Sequence, residues 1–167
     1  MGDWHLAQMN VATALYLMDD PRISEFVAQL DEINALAESS PGFVWRLQSD
    51  AGNAIDIQTT DDPRFIINMS VWQDVESLFD FAYMSAHRLV MAKRRQWFQR
   101  PDGAHQVLWW VEAGHEPTAE EGLSRLHDLD KNGANPGAFN FKSKFPPPDR
   151  SGAPEDLAPE PYCVGWS

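Results

Sequence analysis

Hydrophobic and polar residues along the chain change period several times, and each change marks an element. Residues 4–12, WHLAQMNVA, alternate: His5, Ala7, Met9 and Val11 fall on one side, Trp4, Leu6, Gln8 and Asn10 on the other. That period of two predicts a strand. Asp20-Pro21 then reads as a helix cap with proline in the first turn. Ile23, Phe26, Val27, Leu30 and Ile33 recur at helical spacing until Ser39-Ser40-Pro41-Gly42 ends the run.

FVWRLQ at 43–48 predicts a second strand, with Phe43, Trp45 and Leu47 opposite Val44, Arg46 and Gln48. A loop rich in Asp, Gly, Asn and Thr runs to Pro63, with room for a short strand at 54–58. The third strand, 65–72, sets Phe65, Ile67, Met69 and Val71 against Ile66, Asn68, Ser70 and Trp72. Asp74 is placed to cap a second helix whose stripe is Val75, Leu78, Phe79, Ala82 and Ala86. An unbroken helix would put Lys93 in the middle of that stripe. The conflict predicts a kink or restart near Ser85, with Ala86–Trp97 as a reoriented piece facing inward through Leu89, Val90 and Trp97. HQVLWWVE at 105–112 predicts the fourth strand, and Thr118-Ala119-Glu120-Glu121 is a capping box opening a third helix that closes at Asn132-Gly133.

The order strand, helix, strand, strand, helix, strand, then an added C-terminal helix, describes an α+β, ferredoxin-like sandwich over residues 1–145. Ala138–Phe145 carries three phenylalanines suited to docking on the domain or a partner, and residues 146–167 read as a Pro-rich extended tail. One sheet face would stay bare in a monomer. The side with Val44, Ile66, Trp72, Leu108 and Trp110 is too apolar to leave wet, so a homodimer in which a second sheet covers it is expected.

Composition narrows the partners. A hydrophobic fraction of 43% and 11% aromatic residues suit a globular chain with aromatic area to spare for a pocket or interface. A net charge of -12 repels phosphate backbones and anionic membrane surfaces, so neither nucleic acid nor membrane is expected as a partner. With no basic-apolar leader and no run of 18 apolar residues, a cytoplasmic location is expected. Cys163 is the single cysteine and reads as incidental.

His87, at the expected helix joint, is the residue best placed for chemistry. Tyr83, Met84, Met91 and Phe98 around it could line an apolar pocket with one polar handle. A neutral imidazole there would serve as general base for a phenol or carbon acid, and it could equally be a helix-boundary residue bonded to backbone. Gln8, Asn10, Arg46, Asn68 and Ser70 share one set of alternating faces with Trp72 and Trp110. They form either the wetter side of the sheet or a cavity whose amides hold an oxygen while Arg46 meets an anion. His5, His105, His115 and His127 are too scattered for a dedicated metal site. Lys93-Arg94-Arg95 reads as a solvated helix face from which Arg94 or Arg95 could reach a carboxylate.

NMSVWQDVESLFDFAYMSAHRLVMAKRRQWF, LWWVEAGHEPTAEEGLSRLHDL and AFNFKSKFPPP together resemble a bacterial family defined by a domain of unknown function and grouped with the dimeric α+β barrels. The resemblance runs from Leu6 to about Pro148 and is most specific in the His-Glu-Pro-Thr turn and Ser85-Ala86-His87-Arg88. That superfamily includes antibiotic biosynthesis monooxygenases, which oxidise polycyclic phenols without a cofactor, and heme-degrading monooxygenases. By resemblance, Asn10 matches an asparagine on the first strand, Phe81 stands where a tryptophan would be, and His87 takes the place of the iron-ligating histidine.

Three readings follow. The first is a small-molecule-binding barrel, a cofactor-independent monooxygenase-like enzyme acting on an aromatic or polycyclic metabolite. His87 and Asn10 would be its catalytic residues, with Arg46, Asn68, Trp72, Phe81, Tyr83, Trp97 and Trp110 binding substrate. The second is a heme protein with His87 as axial ligand. The third is a non-catalytic binding or assembly module.

Overall fold

The computed structural model describes residues 4–50, 52–85 and 87–148 and the two-residue strand Glu155–Asp156. Most of the stretch expected as a tail lies outside the described residues. Four antiparallel strands, β1 (Trp4–Thr13), β2 (Phe43–Arg46), β3 (Phe65–Trp72) and β4 (Gln106–Glu112), form one sheet in the order β2-β3-β1-β4. With α1 (Ser24–Ser39) between β1 and β2 and helical turns between β3 and β4, this is the ferredoxin-like α+β topology. The central strands lie in a register that sets Leu6 beside Trp72, Gln8 beside Ser70 and Asn10 beside Asn68, so the alternation of each strand becomes two continuous faces. No strand forms at 54–58, where the chain turns and lays Ile57 against the core. Among the described residues no helix is long and apolar enough to cross a membrane.

One face carries Ala7, Met9, Ile67, Met69, Val71, Val107, Trp109 and Val111, and α4 (Ala119–Asn132) packs on it through Leu126 and Leu129. Thr118 caps α4 by accepting from the Glu121 N–H at 3.1 Å. The helix lies very close to the sheet: a Cβ on Gly122 would come within 2.5 Å of the Met9 methyl. Leu6, Trp72 and Leu108 on the opposite face pack against Val75, Leu78, Ala82, Tyr83, Phe139 and Phe141, while Ile66 meets Ile23, Trp97 and Phe98.

The face expected to await a second sheet is therefore covered by the chain's own helices, and the added helix fills the other. The segment 138–145 docks on its own domain. Leu108 and Phe139 exchange backbone hydrogen bonds of 2.8 and 2.9 Å, and the Trp110 indole donates to the Phe145 carbonyl at 2.8 Å. Ser143–Lys144 (β5) pairs with Glu155–Asp156 (β6).

The break near Ser85 is present and has a defined form. Asp74 caps α2 (Val75–Phe79) by accepting from the Ser77 N–H at 2.8 Å. The helix then widens into a π-turn, Asp80–Met84, and stops at Ser85, whose φ of -104° and ψ of -178° are extended. A helix end leaves carbonyls without partners. Here the Ser85 hydroxyl donates to the Phe81 carbonyl, and the His87 ring takes the Ala82 carbonyl. The chain restarts as α3 (His87–Ala92) and a 3-10 turn, Arg94–Gln96, rather than as one piece over 86–97. Leu89, expected to face inward, is 70% exposed, because the rotation at Ser85 turns His87 and Met91 inward instead. Lys93 escapes the apolar stripe and pairs with Glu25 of α1 at 2.7 Å.

Candidate functional site

Asn68 stands out in β3: it is exposed, while Ile66, Ile67, Met69, Ser70, Val71 and Trp72 are buried. The layer of helices opens over it, and the opening is a cavity of about 560 Å³, a size suited to a small organic ligand. Asn68 and its cross-strand neighbour Asn10 both line it. Beneath them runs a strip of buried polar groups. Gln8 Nε2 donates to Asn68 Oδ1 and to Ser70 Oγ, each at 2.8 Å, and Trp72 Nε1 donates to the same Ser70 Oγ at 2.8 Å.

His87 reaches the cavity from the helix break. Its Nδ1 lies 3.2 Å from the Ala82 carbonyl. A carbonyl only accepts, so Nδ1 carries the proton and Nε2 keeps a lone pair. Burial lowers the pKa of the ring, and the charge of Arg94 lowers it further against the pull of the Ala82 bond. The imidazole is thus neutral at pH 7. Phe81 packs on it with ring centres 4.9 Å apart, and Trp72 stacks on Phe81 at 5.2 Å. These two rings hold His87 from behind and do not line the cavity.

Tyr83 and Phe141 form one aromatic wall, in contact at 5.5 Å. Trp97 and Phe98 form another, with Phe26 of α1 set 5.5 and 4.9 Å from their rings. Of the nine residues singled out from sequence, His87, Asn10, Asn68, Tyr83 and Trp97 therefore meet around one space. The other four stand outside it. Arg46 is held by Glu38 at 2.7 Å and the Gly52 carbonyl at 2.8 Å, Trp72 and Phe81 form the backing just described, and Trp110 anchors Phe145.

The cavity also takes residues that alternation and spacing did not single out. Arg94, read as part of a solvated face, is half-buried in the lining because the 3-10 turn swings it inward. Gln29 also lines the cavity. Asn34, a polar residue at the spacing of the Phe26, Leu30, Ile33 stripe of α1, lines it too, and Gln29 borders that stripe. Phe141 belongs to the Phe-rich segment 138–145 whose docking was expected, but nothing local to it pointed to the cavity. Among the described residues, no three His, Cys, Asp or Glu side chains gather as metal ligands.

Several solved structures are similar to the chain. A protein of unknown function from Nitrosomonas europaea shares 13% identity, with 71% of this chain and 97% of that one covered and a TM-score of 0.43. SnoaB, a cofactor-independent oxygenase from Streptomyces nogalater, shares 17%, with 67% and 95% covered and a TM-score of 0.43. A candidate antibiotic biosynthesis monooxygenase from Nitrosomonas europaea shares 14%, with 71% and 97% covered and a TM-score of 0.44. Likeness at this level carries no statement about chemistry. No functionally curated protein matches the sequence. A family model described as Domain of unknown function (DUF3291) matches residues 5–155, nearly the whole chain, and the protein belongs to that family.

Proposed function

We propose that the cavity binds a small aromatic compound with an ionisable hydroxyl or an acidic C–H, and that the protein oxidises it with molecular oxygen in the manner of a cofactor-independent monooxygenase. One observation carries this reading. His87, with an unprotonated Nε2, lines an aromatic-walled space that Arg94 also lines. A neutral imidazole takes a proton well, and an adjacent cation favours the anion that results. In the proposed sequence Nε2 accepts the proton and the substrate anion gives one electron to dioxygen. The two radicals combine as a peroxide anion, which takes the proton back from Nε2 to become a hydroperoxide, and loss of water across the C–H and O–O bonds at that carbon leaves a new carbonyl. Oxygen is the oxidant, and no other redox partner is needed.

The heme alternative uses the same Nε2, with Arg94 meeting a propionate. The apolar parts of both sheet faces are packed by this chain's own segments, so a homodimer would join through other surfaces. Sedimentation gives that mass directly.

Oxygen uptake with a panel of anthrones and hydroquinones tests the activity. Uptake above buffer that falls at least tenfold in His87→Ala is expected. Binding without uptake would leave a ligand-binding module, and a saturable Soret band lost in His87→Ala would favour heme.

A further inference from the structure

The polar strip beneath the cavity fixes which half of an amide the ligand meets. Gln8 is 3% exposed, and its Nε2 is the donor to both Asn68 Oδ1 and Ser70 Oγ. Ser70, 7% exposed, is itself held by the indole of the fully buried Trp72. An indole N–H can only donate, which commits a lone pair of Ser70 Oγ. In this arrangement Gln8 turns its Nε2 to Asn68 and Ser70, while its Oε1 is buried with no hydrogen-bond partner among the described residues. Since Gln8 occupies Asn68 Oδ1, the Nδ2 half of that amide is left for the cavity that Asn68 lines.

We infer that Gln8 is a positioning residue: it turns the Asn68 amide so that its N–H donors face the cavity, and so selects a ligand presenting an oxygen acceptor, a phenolate or carbonyl, over one presenting a donor. The inference deepens the proposed function and rests on the cavity's taking an ionisable aromatic. Its physical basis is preorganisation. An amide fixed before the ligand arrives spends no reorganisation when negative charge develops on an oxygen in front of it. Gln8 does not touch the ligand, for it lies outside the cavity lining.

Para-nitrophenol is the probe, because its ionised form has its own absorption band, and para-nitroanisole is the matching compound that cannot ionise. Binding to the wild type is expected to lower the apparent pKa of the bound nitrophenol. Gln8→Leu, which keeps the bulk but releases the Asn68 amide, is expected to weaken nitrophenolate binding by roughly tenfold, the size of one lost charge-assisted hydrogen bond, with nitroanisole binding unchanged. Asn68→Asp still accepts from Gln8 but places an anionic oxygen in the cavity, and should weaken nitrophenolate binding at least as much. Equal losses for both probes in Gln8→Leu, or none for either, would overturn the inference.

A second measurement needs no ligand. In NMR hydrogen exchange the Gln8 side-chain amide is expected to exchange slowly and the Asn68 amide quickly, with Gln8 losing protection in Asn68→Ala. Fast exchange at Gln8 in the wild type would overturn the inference outright. Failure of both probes to bind, with Gln8 still protected, would instead remove the proposed function and with it the ligand selection, leaving only the amide orientation.

Discussion

The two faces of the sheet are made from the same four strands yet solve opposite problems. The face under α4 is filled by Ala7, Met9, Met69, Val71, Val107 and Trp109, all at 1% exposure or less, and its helix approaches so closely that a side chain at 122 would have to displace the ends of Met9 and Met69. The face under α1, α2 and α3 buries Leu6 and Trp72 as tightly at one end, and at the other opens over Asn10 and Asn68. Dispersion and water exclusion hold the first. The second accepts the cost of buried polar groups, offset by hydrogen bonds, and gains a cavity. The first face is packed along its length; the second leaves an opening at one end, to whose lining Val11, Ile67 and Leu129 of the α4 side also contribute.

Substitutions should separate the two. Trp109→Ala empties the centre of the filled face and is expected to lower unfolding free energy by about 3–5 kcal/mol in urea titration. A cost near 1 kcal/mol would mean that this face is loosely packed. Gly122→Val drives a branched side chain into Met9 and Met69, which calls for about 1–3 kcal/mol of destabilisation by thermal melting. Such a change should leave ligand binding on the other face intact.

A finer comparison uses the two tryptophans. Both are 0% exposed, but Trp72 Nε1 bonds Ser70, whereas Trp109 Nε1 has no partner among the described residues. Trp72→Phe is therefore expected to cost about 1–2 kcal/mol more than Trp109→Phe, since only the former leaves a hydrogen bond unmade. Equal costs would show that the polar strip contributes nothing to stability. Arg46→Ala, which removes a partly exposed ion pair with Glu38, should cost about 1 kcal/mol or less and leave nitrophenol binding unchanged. A loss of binding would return Arg46 to the site.

The smallest effect is on pH dependence. The folded pKa of His87 lies below its ordinary value of 6.5, which the unfolded chain regains. Between the two, the unfolded state binds a proton that the folded state does not, so stability falls as pH drops from 6.5 toward the folded pKa. Below that value the penalty is constant, and above 6.5 it vanishes. The Tm of wild type should thus decline relative to His87→Gln as the solution is acidified through this window. Parallel Tm curves would mean that the ring is not held neutral.

Much of the fold was legible because strand alternation is a local property: the faces assigned from 4–12, 65–72 and 105–112 are those that the register joins. The Lys93 conflict likewise located the break at Ser85, since a charge in an apolar stripe cannot be buried without a partner. What spacing could not give was the rotation across that break. It turned Leu89 out and Arg94 in, and it depends on a π-turn whose last carbonyls happen to be taken by Ser85 and His87. Nor could alternation say which face the helices would choose.

The sequence by itself determined the elements, their order, the Asn10–Asn68 face and the candidacy of His87, because period, caps and turn residues act over a few neighbours. Only the tertiary structure decided that α4 would take the other face, that Trp72 and Phe81 would back His87 rather than touch a ligand, and that Gln8 would orient Asn68. Among those outcomes, Gln8 meets Asn68 across 60 positions of the chain, and the free energy of such a contact exists only once the sheet has brought its partners together.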